Sequence, residues 1–314
     1  MPVLSLKTGT KSRSLLVGNT AYIPSVRALF AGGNTGSNSN VIDYVNILST
    51  GNATDFGDIL IGAYGPAGAA SSTRGVFAGG YDGSGNSNVI QYVTIASTGN
   101  AVDFGDLTRA MQRGAGAGSS TRAIFAVGEP TGATATNVID YITIASIGNA
   151  TDFGDLTLAR AFGAGCASPT RAVFSGGTDG GNRSEIDYVT IATTGNATSF
   201  GNLSAGRRVL SSASNSTRGL MGGGYEGGGV NTIEYITIAT TGNTTDFGDL
   251  TVTRYGLSAA ASPERAIFAG GTASGASNVI DYVIIASTGN ATDFGDLTVA
   301  REYAGGLSDG HGGL

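Results

Sequence analysis

Residues 278–298 read NVIDYVIIASTGNATDFGDLT, and close copies of this stretch occur six times along the chain. The tyrosine of each copy recurs after 47 to 49 residues. Repetition at this period indicates one supersecondary unit stacked on copies of itself, because a single unit of that size cannot bury its apolar face alone. We therefore predict a single repeat domain. The six tyrosines are Tyr44, Tyr92, Tyr141, Tyr188, Tyr235 and Tyr282.

Composition and charge narrow the class of protein. Of 314 residues, 53 are glycine, but 40% are hydrophobic, so the chain is not a disordered linker. A net charge of −6 argues against a nucleic-acid partner. The single Cys166 excludes an internal disulfide, and the single His311, expected in a floppy tail, excludes a histidine metal cluster. Without a signal peptide or a long apolar run, we expect synthesis in a cytoplasm and no membrane insertion.

Each unit contains four segments that are typical of β-strands, as the third unit illustrates. AIFAVG (123–128) is an apolar run that ends at glycine, which indicates a buried strand and a turn. NVIDYITI (137–144) is rich in β-branched residues, and ATDFGDL (150–156) is a short strand with one phenylalanine. ARAFGAGCAS (159–168) is rich in small residues, which suits a crowded strand at the centre of an assembly. No segment shows helical periodicity.

Four strands repeated six times predict an all-β, six-bladed β-propeller with four antiparallel strands per blade. The order of the parts resembles a kelch repeat: an arginine-opened strand ending in Gly-Gly, a tyrosine-bearing strand and an aromatic strand. It differs in having no tryptophan and a constant Tyr-to-Phe spacing of 12. The alternative is a fibrous β-solenoid with one coil per repeat.

We predict that 300–312 complete the first blade. The predicted divisions are an arm (1–24) and a propeller (25–314) with units 25–72, 73–120, 121–169, 170–216, 217–263 and 264–299.

Two connections in each unit are almost uniform and two vary strongly. In an up-and-down blade, successive connections alternate between the two faces of the disc, so the variable pair shares one face. Loops on a rigid scaffold commonly carry binding sites, and this face is therefore the predicted recognition surface. Partial burial is the alternative for three of its tyrosines, at positions 64, 255 and 303. The candidate ligand-binding residues are Tyr64, Tyr81, Asp82, Arg109, Arg113, Glu129, Arg183, Arg207, Arg208, Tyr225, Glu226, Tyr255 and Tyr303.

Charged residues that recur once per unit are expected to serve the architecture. The paired acids of DFGD could bind Ca²⁺, but we favour turn capping or pairing with the repeated arginines. Those arginines could form an anion site, and we favour bonding to carbonyls or acids between blades. We interpret the repeated Asn-x-Thr/Ser as turn residues rather than glycosylation acceptors. The repeated arginines are Arg27, Arg74, Arg122, Arg171, Arg218 and Arg265, and the acid pairs are Asp55/Asp58, Asp103/Asp106, Asp152/Asp155, Asp246/Asp249 and Asp293/Asp296.

Enzyme templates find little support in the sequence. HExxH and P-loop motifs are absent. A sialidase-like site would need unique charged residues converging on the axis, and nothing in the spacing of the candidates favours that arrangement. We therefore expect a protein that is not an enzyme and has no cofactor and no metal. The candidates for such a site are Arg109, Arg113, Arg207, Arg208 and Glu129.

The arm over residues 1–24 contains Lys7, Lys11 and Arg13 and no acid. Such an arm on an acidic protein is typical of a docking peptide, with a frayed terminus as the alternative. Followed by Gly/Ser/Asn-rich repeats, it resembles virion appendage proteins of tailed bacteriophages, of the fibre or adhesin type. The resemblance implies a structural virion protein whose arm docks on other virion proteins and whose propeller binds a host-surface glycan or protein. A homo-oligomer is compatible with this. The alternatives are an assembly or decoration protein without a host ligand, and a polysaccharide-cleaving enzyme.

Overall fold

The computed structural model describes residues 26–314, which form six four-stranded antiparallel sheets and no α-helix. The innermost strands of neighbouring sheets contact each other around a closed ring. The chain is therefore a six-bladed β-propeller, as the repeat predicts, and not a β-solenoid. The predicted arm over residues 1–24 lies outside the described residues.

Every blade has the same order of strands from the axis outwards. The innermost strands are β26 (Gly305–Ser308), β4 (Ala67–Ala70), β9 (Ala115–Gly118), β14 (Ala164–Ala167), β18 (Ser211–Ser214) and β22 (Ser258–Ala261). The second strands are β1 (Arg27–Ala31), β5 (Arg74–Ala78), β10 (Arg122–Ala126), β15 (Arg171–Ser175), β19 (Arg218–Gly222) and β23 (Arg265–Ala269).

The two outer positions of each blade hold the tyrosine and phenylalanine strands. The third strands are β2 (Val41–Asn46), β6 (Val89–Thr94), β12 (Thr136–Thr143), β16 (Glu185–Thr190), β20 (Val230–Thr237) and β24 (Val279–Ile284). The outermost strands are β3 (Thr54–Asp58), β7 (Val102–Asp106), β13 (Thr151–Arg160), β17 (Thr198–Asn202), β21 (Thr245–Arg254) and β25 (Thr292–Asp296). An additional short ribbon pairs β8 (Met111–Gln112) with β11 (Glu129–Pro130).

The ring closes through the C-terminal strand, as predicted. β26 pairs with β1 in an antiparallel register that runs from Ala28↔Ser308 to Ala31↔Gly305. Asp309 then accepts a hydrogen bond from the Arg27 amide at 2.8 Å. In the second blade Ser71 accepts the equivalent bond from Arg74. Closure therefore reproduces the inner turn of an ordinary blade.

The residues after the closing strand are not the floppy tail that the sequence suggested. His311 lies at the uniform-face end of the central channel, where its Nε2 is 2.8 Å from the Ala70 carbonyl oxygen. Its Nδ1 accepts the Gly313 amide, so Nε2 carries the proton and donates to Ala70. Gly312 also donates to the Ser214 carbonyl. The expectation for this segment was wrong because its polar groups find partners at the ends of the innermost strands.

The hydrophobic core lies between neighbouring blades. In one cluster, Ile124 and Phe153 of the third blade pack with Phe174 and Val189 of the fourth. The second strands are buried on both faces, which explains their uninterrupted apolar runs. Because each blade supplies one wall of a cluster and its neighbour the other, no unit can bury its apolar surface alone.

A hydrogen-bonded seal joins the outer edges of the blades. In each blade, the asparagine of the STGN-type turn accepts the backbone amide of the last residue in the preceding DFGD-type segment, over 3.0 to 3.1 Å. The seal covers the edge of every outermost strand and explains the repeated Asn as a structural residue. The asparagines are Asn52, Asn100, Asn149, Asn196, Asn243 and Asn290.

The six repeated arginines join blades on the uniform face. Arg27 donates through Nη1 to the Ile95 carbonyl of the next blade at 2.8 Å, while its guanidinium carbon lies 5.0 Å from the Tyr44 ring centroid. The other five repeat both contacts. The expectation of bonding to carbonyls is confirmed. The alternative, pairing with the DFGD acids, is not observed, because the ion pairs within 26–314 do not include those acids.

Candidate functional site

The variable connections meet in pairs on one face of the disc. We call the place where the chain passes from one blade to the next a junction. At each junction, a residue entering the innermost strand forms a backbone bridge with a residue that follows the second strand of the same blade. The backbone arrangement is shared, whereas the side chains are not. The six bridged pairs are Tyr64/Tyr81, Gln112/Glu129, Ala161/Thr178, Arg208/Tyr225, Tyr255/Thr272 and Glu302/Asn34.

Next to these bridges, six residues surround the axis and form what we call the mouth ring. All six have a left-handed backbone, with φ between 50° and 70°. Non-glycine residues rarely adopt this conformation, and a β-branched valine least of all. Backbone hydrogen bonds join five of the six neighbouring pairs of the ring and hold this conformation, for example from the Val209 amide to the Phe162 carbonyl at 2.7 Å. The mouth ring consists of Gly65, Arg113, Phe162, Val209, Gly256 and Tyr303.

Arg113 occupies the mouth ring among aromatic side chains. Its guanidinium carbon lies 4.6 Å from the ring centroid of Tyr303, 4.9 Å from that of Tyr64 and 5.0 Å from that of Phe162. A β-carbon on Gly65 would lie 2.7 Å from the Arg113 Cγ, so this glycine makes room for the arginine side chain. Cation–π contacts of this kind contribute on the order of 0.5–2 kcal/mol each and hold the cation without using its hydrogen-bond donors.

A depression of about 510 Å³ opens beside the mouth ring. Its walls combine aromatic rings with two arginines and one acid. Tyr225 and Tyr255 form an edge-to-face pair at 5.4 Å, and the Arg208 guanidinium lies 4.8 Å from the Tyr225 centroid. The lining residues are Arg113, Glu129, Thr134, Phe162, Thr178, Gly180, Arg208, Val209, Tyr225, Tyr255 and Tyr303.

The charges of the depression are not balanced by the described residues. The Arg113 guanidinium makes no hydrogen bond or ion pair with any residue of 26–314, and its buried Nε has no partner. Arg208 donates only a long bond of 3.3 Å to Asn182 Oδ1. Glu129 Oε2 accepts from Gln112 at 2.7 Å. Burial raises the pKa of Tyr303, so its hydroxyl remains a proton donor at neutral pH. The depression therefore offers unused donors and positive charge on an acidic protein.

Arg207, by contrast, was wrongly predicted as a surface ligand-binding residue. Its side chain is buried between blades, and Nη2 is 2.6 Å from Glu234 Oε2. Burial lowers the pKa of Arg207, opposed by the charge of Glu234. The sequence RRV places two arginines side by side, and only the second, Arg208, reaches the depression. Three other junctions contain the same kind of buried pair: Arg160–Asp187, Arg254–Asp281 and Arg301–Asp43.

The remaining two junctions lack the buried arginine. Ala63 occupies its place in one junction, and the acid position there is Gln91. Met111 occupies it in the other, where burial raises the pKa of Asp140. Asp140 keeps the bond from the threonine hydroxyl, here Thr108, that three of the arginine junctions also have. At all six junctions the acid or amide also accepts a backbone amide from the connection arriving from the previous blade. The arginine is therefore not essential to the junction geometry.

The structure divides the predicted ligand-binding residues into groups. Arg113, Glu129, Arg208, Tyr225, Tyr255 and Tyr303 line the depression. Tyr64 and Tyr81 form a ring pair at 5.3 Å that reaches Arg113 through Tyr64. Partial burial, the stated alternative for Tyr64, Tyr255 and Tyr303, is observed at all three.

Four predicted residues on the same face do not line the depression. Asp82 caps its own turn through Ser84, and this hydrogen bond lowers the Asp82 pKa. Arg109 donates to Thr136, and Arg183 pairs with Asp179. Glu226 is exposed, 3.9 Å from the Nη1 of the buried Arg207. The structure gives these side chains local partners, and their role in binding stays a prediction.

Phe162, Val209, Thr178, Thr134 and Gly180 complete the depression but were not predicted. Phe162 and Val209 stand in a small-residue segment that the sequence assigned to the crowded centre. Aligning the six connections would have shown Gly, Arg, Phe, Val, Gly and Tyr at this position. The positions on either side of this one also differ among the units, and such a run of differing residues signals side chains that leave the core.

Within residues 26–314, no group of three or more His, Cys, Asp or Glu side chains is placed to hold a metal ion. No helix in that part of the chain is long and apolar enough to cross a membrane. Cys166 lies in the innermost strand β14, and burial raises the pKa of its thiol to about 12. The thiol therefore stays protonated and serves as a small core residue, as expected.

Comparison with known proteins identifies no relative from which a function could be transferred. The functional conclusion therefore rests on the fold and on the depression. A scan against protein-family models found no match, and a search of curated proteins found no similar sequence. By its fold, the protein is a six-bladed β-propeller.

Proposed function

We propose that this β-propeller is a non-enzymatic binding protein whose variable face recognises a glycan. The observation that carries the proposal is the depression of about 510 Å³, which aromatic rings and unused hydrogen-bond donors surround. Ligand sites in proteins commonly occupy roughly 300–1,000 Å³ and combine apolar walls with a few polar groups. A flat protein–protein interface would instead bury about 800 Å² on each partner.

The chemistry of the walls suits a sugar. Tyr225, Tyr255 and Phe162 offer aromatic faces, against which the apolar faces of pyranose rings can pack. Thr134 and Glu129 offer polar atoms for hydroxyl groups beside them. Backbone bridges hold Tyr225 and Tyr255, and their rings contact each other edge to face, so little conformational entropy is lost on binding.

We further propose that the glycan belongs to a host cell surface and that the protein is an appendage of a tailed-bacteriophage virion. The resemblance of the repeats and of the basic arm to fibre and adhesin proteins supports this. The arm would dock on other virion proteins and leave the variable face free. A map of the protein on purified particles tests this placement, and a variable face that points into the particle would contradict it.

Glycan binding is tested by applying the purified full chain to an array of bacterial surface polysaccharides. We expect binding that Tyr225→Ala and Tyr255→Ala weaken at least tenfold, because each removes an aromatic wall. Ile147→Ala is the control, since Ile147 is 66% exposed on the uniform face. Absence of binding to any glycan would contradict the proposal. A chain that binds no glycan but remains on virions would be an assembly protein, and release of reducing ends would identify an enzyme.

A further inference from the structure

Among the arginines of residues 26–314, Arg113 is the one whose guanidinium makes neither a hydrogen bond nor an ion pair with the described part of the chain. We propose that Arg113, with Arg208 in the same depression, forms a subsite for the carboxylate of an acidic saccharide such as a uronic acid. This inference rests on the proposed function and names the class of glycan.

The backbone and the neighbouring glycines fix the position of Arg113. Two glycines of the mouth ring make room for Arg113 and for its neighbour Tyr303. A β-carbon on Gly65 would lie 2.7 Å from the Arg113 Cγ, and one on Gly256 would lie 2.9 Å from the Tyr303 ring. The Arg113 and Tyr303 backbones are both left-handed, with φ of 50° and 56°, and are held by bonds around the mouth ring. The backbone thus presents a guanidinium at the axis at some conformational cost.

The surroundings of Arg113 hold the guanidinium but leave its donors unused. Aromatic faces attract a cation electrostatically, yet they accept no strong N–H bond. Three rings within 5.0 Å therefore fix the group while its N–H donors remain available. The planar donor fork of arginine matches two carboxylate oxygens. Tyr303, whose pKa is raised by burial, adds a neutral hydroxyl donor close to the same cation.

Charge in the depression favours an anion of modest size. Arg113 and Arg208 face a single acid, Glu129, and one oxygen of Glu129 is already bonded to Gln112. The aromatic walls favour a carboxylate carried on a sugar ring over a free inorganic anion, because a free anion would leave Tyr225 and Tyr255 uncovered. The net charge of the protein is −6, so the positive charge of the depression is a local feature that would attract anions to the variable face.

The test measures binding of trigalacturonate and of its methyl ester to the full chain by calorimetry, with inorganic phosphate as a further probe. Esterification removes the carboxylate charge and adds one methyl group per carboxyl, and the salt dependence separates the charge from the added bulk. We expect the acid to bind at least tenfold more tightly than the ester, with phosphate far weaker than the acid. Raising the salt concentration should lower the affinity of the protein for the acid and leave its affinity for the ester unchanged.

Two variants place the effect on Arg113. Arg113→Gln removes the charge, and Arg113→Gly does so at a position where Gly65 and Gly256 show that glycine fits the ring. We expect both to lose the preference for the acid and to keep the folded structure, as circular dichroism measures. Arg122→Gln removes one charge on the uniform face, where Arg122 bonds the Ile191 carbonyl, and should keep the preference.

Each outcome decides between the two proposals. Unchanged preference for the acid in Arg113→Gln and Arg113→Gly would overturn the carboxylate subsite. A chain that binds array glycans with no preference for acidic ones would also overturn it while leaving the proposed function intact. Binding of phosphate as tight as that of the acid would assign the subsite to phosphate groups. A chain that binds no saccharide would refute both proposals.

Discussion

The two faces of the disc use the same repeat in opposite ways. On the uniform face, side chains join the blades: the arginine–carbonyl bond and the asparagine–amide bond both occur six times. On the variable face, a backbone bridge joins the connections at every junction, whatever the side chains are.

This difference explains where the sequence can change. A side chain that carries an interblade bond must recur in every unit, because its loss breaks the seal at that junction. A backbone bridge imposes no such demand, so the residues at the bridge can differ from Tyr64 to Ala161 to Arg208. The residues of the variable face can thus change with the ligand without loss of the contacts that close the ring.

The largest effect is expected at the buried pairs beneath the variable face. Asp281→Asn keeps an acceptor for Thr251 but leaves the Arg254 guanidinium, which is 0% exposed, without its carboxylate. An unpaired buried charge costs about 3–5 kcal/mol, so we expect the thermal midpoint to fall by on the order of 10 °C. Calorimetry or circular dichroism measures it.

The molecule supplies the control for that change. Arg254→Met combined with Asp281→Gln places the side chains of Met111 and Gln91, which occupy these positions at two native junctions, into a third junction. No buried charge remains, and similar volume is filled, so we expect the double variant to be more stable than Asp281→Asn. If both variants lost the same amount of thermal stability, the ion pair would be indispensable at its junction. The residues beneath the variable face would then not be free to differ among junctions.

Next in size is the outer seal on the uniform side. Gly154 has φ 145°, and a β-carbon there would lie 2.5 Å from the Gly195 carbonyl of the next blade. Gly154→Ala should cost about 1–3 kcal/mol, because the neighbouring backbone must move and the conformation is strained. Gly181→Ala is the matched change on the variable face, where no atom lies within 4 Å. Its effect should stay within about 0.5 kcal/mol in the same melts, and equal losses would contradict the comparison.

The architecture could be predicted from the sequence because the repeat exposes its own constraints. Six phased copies of Tyr44-to-Phe56 spacing reveal the blade, and the unmatched segment around Gly305–Ser308 reveals the closure. The tail around His311 could not be predicted, since its position depends on backbone carbonyls brought together only by the closed ring.

The depression was predicted in outline and missed in detail. Alternating connections assign Tyr225, Tyr255 and Arg113 to one face, and this needs only antiparallel pairing. The burial of Arg207 was not foreseen, although three other units have arginine at the same position and this recurrence points to an architectural role. Arg208 has no such counterparts, and in the structure it is Arg207 that meets the buried Glu234. The mouth ring depends on left-handed backbones at non-glycine residues, which sequence rules exclude by default.

A smaller effect is expected from pH at the uniform-face end of the channel. Burial lowers the pKa of His311 from its ordinary value of 6.5. Below about pH 6.5 the unfolded chain takes up a proton that the folded chain refuses, so the free energy of unfolding falls as pH falls. The loss is at most about 1.4 kcal/mol per pH unit and ends at the folded pKa. In thermal melts from pH 7.5 to 5.5, His311→Gln should be less sensitive to pH, and an equal slope would exclude His311 as the cause.

The smallest effect is expected at the mouth ring, where it sharpens the contrast between backbone and side chain. Val209 has φ 50°, and Gly65 and Gly256 occupy equivalent places. In Val209→Gly, relief of strain offsets the lost side-chain contacts and the added freedom of the unfolded chain, so we expect a change within about 1 kcal/mol. Val173→Gly in the buried strand β15 makes the same substitution at a side chain that is 1% exposed, and it should cost at least about 2 kcal/mol. If Val209→Gly cost as much as Val173→Gly in the same denaturation experiment, the mouth ring would depend on its side chains for stability. The variable face would then be part of the architecture, and its side chains would not be free to change with the ligand.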